Sequence, residues 1–218
     1  MASALDICNL ALSHLGDSAN VSSIDPPEGS AQAEHCARFY PIARDAMLEM
    51  HDWGFATRRA QLALLAEDLD TQWSYVYAQP VGVVKRVAIL LPEAKDDDAQ
   101  LYETESLDDG SIVIYTNAEE AVLRYVAQVT DTTKFTPLFV NALSWLLASH
   151  LAGPIIKGDS GVAAGRECFK TFTGEFARAT GSDSNQRRIT QSHVPDSIKV
   201  RGGGYAQNPY LADGRIIR

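Results

Sequence analysis

Gly158-Asp159-Ser160-Gly161 matches the local sequence around a serine-protease nucleophile. A serine so placed performs acyl transfer when a histidine, itself held by a carboxylate, takes its proton. Those enzymes carry the serine in an all-β double barrel. Here helical patterns flank the tetrapeptide, and Asp159 or Ser160 capping a helix N-terminus explains it without chemistry. His51-Asp52 offers a base beside a carboxylate, yet a polar turn closing a helix against the aromatic anchor Trp53 accounts for the pair equally well. A small cytosolic hydrolase using Ser160 or His51 is therefore the alternative reading. Asp96-Asp97-Asp98 presents oxygen ligands to a divalent cation, but one run supplies too few directed donors, and a solvated loop is expected. The histidines at 14, 35, 51, 150 and 193 form no H-E-x-x-H and have no cysteine at ligand spacing, so neither a metal nor a cofactor is expected. Gly202-Gly203-Gly204 lacks the Lys-Ser/Thr of a phosphate loop and reads as a hinge.

Charge is distributed unevenly. The net charge is −9, but residues 182–218 hold six basic side chains against three acidic ones, which leaves the preceding residues at −12. An acidic body repels phosphates, and this argues against broad nucleic-acid binding by it. The tail holds Arg187, Arg188, Lys199, Arg201, Arg215 and Arg218 without aromatics dense enough to stack bases, so protein surface is its expected target. It also holds Val194, Ile198, Val200, Tyr205, Tyr210, Leu211, Ile216 and Ile217, more apolar residues than a solvated end needs. The expectation is an arm that orders against another surface, with a flexible end of no role as the plain alternative.

The elements that must position these residues follow from periodicity. A hydrophobic content of 45% and a charged content of 22% are those of an ordinary globular chain. Asn141, Ser144 and His150 interrupt the most apolar run, so no membrane span is expected. Asp6 within the first apolar stretch, with no Lys or Arg before Arg38, argues against a signal peptide. Cys8, Cys36 and Cys168 lie on apolar helix faces and read as buried free thiols in a reducing compartment.

Helices are predicted over Ser3–Gly16, Ser30–Ala56, where the helix runs into an aromatic turn, Pro137–Ala152 and about Ser160–Ala179. Their expected faces include Cys36, Tyr40, Ala43, Met47 and Met50, widened by Phe39, Ile42 and Leu48, in the second and Val162, Phe169, Phe172 and Phe176 in the fourth. Pro41 is expected to kink the second, and Gly153-Pro154 to stop the third. Between the second and third helices five β-rich runs are predicted, Gln61–Leu65, Trp73–Tyr77, Val83–Leu91, Ile112–Tyr115 and Ala121–Val129, with Asp109-Gly110 as a hairpin signal. The expected fold is α+β: an antiparallel helical bundle (1–56 and 131–181) with an inserted antiparallel β-sheet or barrel domain (57–130) and an extended C-terminal arm (182–218).

Several of these residues recur as a set. Tyr40, Arg44, Leu48, Trp53, Phe55 and Ala56, then Trp73, Tyr75, Tyr77 and Pro80, then Phe139, Ala142, Leu143, Leu147, Ala148 and Pro154 form a pattern that resembles the head-to-tail adaptor of short-tailed phages, the tail tubular protein A family. The pattern covers about residues 3–180 and consists of packing residues, which identify a fold more than a chemistry. It departs from the family at Val81-Gly82-Val83, where an Asp commonly follows the position of Pro80. The resemblance implies a bundle-plus-β subunit without enzymatic activity, in a twelvefold ring between the portal protein and a distal tail nozzle protein. It implies a virion-tail location after synthesis in the host cytoplasm, and genomic DNA passing non-specifically through the channel. It also implies a C-terminal arm that clasps the portal, which agrees with the reading of the tail. Arg201, Tyr205, Tyr210, Leu211, Ile216 and Ile217 are then the expected contacts to the portal or a neighbour, and Asp96, Asp97 and Asp98 the candidate channel-facing acids that keep DNA from sticking.

Overall fold

A computed structural model describes residues 2–18, 20–65, 72–92 and 99–186. Four helices and two antiparallel sheets make an α+β fold. Helix α1 (Ala4–His14) begins at a reciprocal cap, in which Ser3 Oγ accepts from the Asp6 N–H and the Asp6 carboxylate accepts from the Ser3 N–H. It ends at Gly16, whose φ of +75° suits the left-handed exit of a helix. Helix α2 (Ala31–Met50) is capped by Ser30 and continues through Pro41 without a break. Helix α3 (Pro137–Ile156) starts with Thr136 as cap and Pro137 in the first turn, where a missing N–H removes no helical bond. Helix α4 (Gly158–Asn185) follows after Lys157 alone.

The helical boundaries correct two expectations. Gly153-Pro154 does not stop α3, which closes one turn later through the Lys157 N–H to the Gly153 carbonyl. The N-cap of α4 is Lys157 rather than Asp159 or Ser160, and it makes no side-chain capping bond. Lys157 holds φ +61° and ψ 163°, a conformation that glycine adopts freely and other residues do not. It is the only non-glycine residue with positive φ among those described.

Seven strands lie between α2 and α3, against the five predicted. They are β1 (Thr57–Gln61), β2 (Ala63–Leu64), β3 (Tyr75–Ala78), β4 (Val83–Leu90), β5 (Tyr102–Ser106), β6 (Ile112–Thr116) and β7 (Val122–Ala127). The unpredicted strand β5 and most of β1 are polar edge strands, with the sequences YETES in β5 and TRRAQ in β1. They are held by backbone pairing to β6 and β7 rather than by an apolar pattern. Two sheets form rather than one sheet or barrel, in the orders β1-β7-β4 and β2-β3-β6-β5. Asp109-Gly110 does turn a hairpin, between β5 and β6, with Gly110 at φ +82° and the Asp109 carboxylate accepting from the Ser111 N–H.

Alternation along the strands stacks three layers. On β7, Leu123, Tyr125 and Ala127 face the second sheet and pack with Ile89, Tyr77 and Ile114, while Val126 joins the helical core. Register shifts in β4 turn both Val84 and Val87 toward that same core. Val76, Val113 and Tyr115 form a smaller cluster on the far side of the second sheet.

The helices meet around α3, which touches α1, α2 and α4. Among the described helices α3 has the length and mean hydropathy, 1.4 over its best window, that a membrane crossing requires, and half of that window is buried inside the protein. Its apolarity is that of a strut covered by three other helices. Trp53 is fully buried just past α2, donates from Nε1 to the Met47 carbonyl at 2.7 Å, and meets Phe139 edge-on at 4.9 Å. The three cysteines are buried and unbridged. Cys8, hydrogen-bonded to Cys36 and shielded from water, has its thiol pushed well above the ordinary range.

Candidate functional site

Helix α4 spans 28 residues and packs on α3, yet it buries only a narrow stripe of Gly161, Cys168, Phe172, Ala179 and Asp183. The expected stripe of Val162, Phe169, Phe172 and Phe176 is corrected by this geometry: Phe172 is buried, but Val162 and Phe169 are each 52% exposed. Small residues decide the rotation. A methyl at Gly161 would stand 2.9 Å from the Ala152 carbonyl oxygen, and one at Gly165 would stand 3.2 Å from that of Ser149. The two glycines, four apart, bring the helix backbones together and leave the larger apolar groups outside the seam. The tetrapeptide that resembles a nucleophile motif is therefore a packing device.

Beside the seam, α3 and α4 enclose an open groove of about 620 Å³, lined by His150 and Gly153 of α3 and by Val162, Arg166, Phe169 and Lys170 of α4. His150 stacks on Phe39 of α2 at 6.1 Å, and burial holds its imidazole below the ordinary range. Two exposed apolar side chains and two cations share this surface.

At the other end of α4, Asp183 is 7% exposed and closes a polar node. Its carboxylate accepts from the Gly54 N–H at 3.0 Å and lies 3.1 Å from His51 Nε2. His51 also meets the edge of Trp53 at 4.8 Å, and Asp52 pairs with Lys85 of β4 at 2.8 Å. The His51-Asp52 pair thus divides between two structural contacts. The node pins the last turn of α4, from which the basic tail departs, to the corner between α2 and β1. Asp183 escaped the sequence reading because its partners are 129 and 132 residues away.

Ser160 is exposed in the first turn of α4, and among the described residues no hydrogen bond joins it to a histidine. Along the helix axis it lies about 35 Å from the His51–Asp183 node, at 1.5 Å per residue. One catalytic centre cannot use both. Among the described residues no three His, Cys, Asp or Glu side chains gather as a metal site. Asp96, Asp97 and Asp98, the triglycine, and Arg201, Tyr205, Tyr210, Leu211, Ile216 and Ile217 lie outside the described residues.

Neither the protein-family models nor the curated proteins compared with this chain give a match.

Proposed function

We propose that this chain is a structural, non-enzymatic subunit of a ring that joins the portal of a short-tailed phage to its tail nozzle and helps retain and eject the genome. The observation that carries the reading is where the resembling residues lie. Tyr40, Leu48, Trp53, Ala56, Phe139, Ala142, Leu143, Leu147 and Ala148 belong to one buried cluster at the centre of the helical layer. A pattern made of packing residues has meaning only if those residues pack together, and these do. For the alternative, a small cytosolic hydrolase using Ser160 or His51, among the described residues no hydrogen bond joins Ser160 to a histidine, and His51 is engaged by Asp183 and Trp53.

The mechanism is geometric. Each subunit sets its helical layer beside the next, the tail adds apolar and basic contacts to the portal, and many weak contacts combine. Arg201, Tyr205, Tyr210, Leu211, Ile216 and Ile217 are the proposed docking groups, and Asp96, Asp97 and Asp98 the proposed lining of the channel.

Co-purification with the portal gene product tests this reading. The full chain is expected to be retained on the portal, and a chain truncated after Gln186 to fold and be lost from it. Retention of the truncated chain contradicts the role given to the tail, and failure of the full chain to bind contradicts the adaptor reading.

A further inference from the structure

Four apolar side chains on predicted helix faces are left uncovered by the subunit: Ile42 (55% exposed) and Met50 (48%) on α2, and Val162 and Phe169 on α4. Acids stand beside the exposed pair on α2 and cations beside that on α4, with the buried Arg44 and the exposed Glu167 as the opposite charges within the two stretches. On α2, Asp45 and Glu49 lie between Ile42 and Met50; on α4, Arg166 and Lys170 are interleaved with Val162 and Phe169. Acids four residues apart face outward on one helix and cations four residues apart on the other, each pair separated by about 6 Å along its helix. The apolar pairs are eight and seven residues apart.

We infer that the α3–α4 groove is occupied by the outer face of α2 from a second copy of this chain. Laid parallel, Ile42 and Met50 reach the level of Val162 and Phe169, while Asp45 and Glu49 reach that of Arg166 and Lys170. Asp45 is already ion-paired with Arg44 at 2.8 Å, so the free acid of the α2 face is Glu49. Among the described residues neither Glu49 nor Arg166 has an ion-pair partner, and Lys170 reaches only the exposed Glu167 at 3.9 Å. Asp45 accepts from Arg44 Nε and Gln128 Nε2, and its two oxygens retain further acceptor sites. The chain's own tail, at net +3, is repelled by a cationic groove, whereas the acidic body of another copy is attracted to it.

Because the two surfaces differ, the contact is heterologous, the kind that closes into rings. The inference deepens the ring reading and rests on it. The apolar groups supply most of the attraction and the charges set register, since exposed ion pairs contribute little by themselves.

The test is self-association of the full chain, measured by sedimentation velocity in free solution and by imaging on the portal. Lys170→Glu and Glu49→Lys are each expected to weaken it at least about tenfold, by placing like charges opposite one another. An equimolar mixture of the two variants is expected to recover assembly. Phe169→Ser is expected to weaken association while lowering the melting temperature of the subunit only by the loss of its half-buried contact with Phe172. A wild-type ring on the portal that neither charge reversal disturbs, or reversed variants that fail to recover when mixed, overturns this interface and leaves the adaptor reading standing. Absence of any ring, free or on the portal, overturns both.

Discussion

Glycines of α4 give the sharpest predictions at the level of single residues, because the same substitution should act with opposite sign along one helix. Gly161→Ala is expected to destabilise the protein by about 1–3 kcal/mol, since its methyl would meet a backbone carbonyl that cannot swing aside. Gly174→Ala, with nothing within 4 Å of the new methyl, is expected to stabilise it by about 0.5–1 kcal/mol through lower helix entropy cost. Chemical denaturation of the two variants side by side checks both signs. Lys157→Gly, which relieves a positive-φ lysine but adds the unfolded-chain entropy of a glycine, is expected to raise stability by about 0.5–2 kcal/mol in the same assay. His14 makes a different prediction. Its ring stacks on Trp145 at 3.7 Å and bonds to Ser144 Oγ at 3.0 Å, and because Ser144 donates its only hydroxyl proton to the Asn141 carbonyl, His14 Nε2 is the donor. Burial lowers its proton affinity below the ordinary imidazole value. The unfolded chain therefore binds the proton more readily, so the contribution is complete above about pH 6.5 and declines as pH falls toward the lowered value. Melting temperatures recorded between pH 7 and 5 should fall, and His14→Gln should flatten that fall.

Among the elements, those with local signals were legible and those defined by distant partners were not. Ser3, Ser30 and Pro137 each mark a helix start by local chemistry, and three helices begin there; the reciprocal bond from Asp6 and the Thr136 cap are added by the structure. Asp109-Gly110 carries its turn chemistry in two residues, and the hairpin is present. Strand β5 was missed because its alternation is of polar side chains, with Glu103 and Glu105 on an edge, and only pairing with β6 defines it. The buried face of α4 was misjudged because periodicity weights large apolar groups, while the seam depends on what a glycine permits the facing backbone to do. The polar node at Asp183 was invisible for the same reason of distance. It makes its own prediction: Asp183→Ala removes the carboxylate that accepts from the Gly54 N–H and faces His51, and is expected to cost about 1–3 kcal/mol, read by thermal denaturation. Asp183→Asn, which keeps an acceptor for the Gly54 N–H, is expected to cost less.

For the whole molecule, the α+β class and the position of the β region between α2 and α3 followed from the change of period after Ala56 and its return at Pro137. The candidate site was less legible. Serine and histidine motifs drew attention to chemistry, yet the fold uses Gly161 for close packing and His51 for an anchor, while the uncovered apolar and charged surfaces of α2 and α4 emerge only once the subunit is assembled. Those surfaces are what a ring subunit needs, and they connect the packing of α4 to the proposed assembly. Electron microscopy of the purified full chain mixed with its portal gene product shows whether the subunit assembles as proposed. A ring of twelve copies seated on the portal around a central channel is expected; particles in which the chain remains a single copy, with the portal present and unoccupied, would contradict the adaptor role.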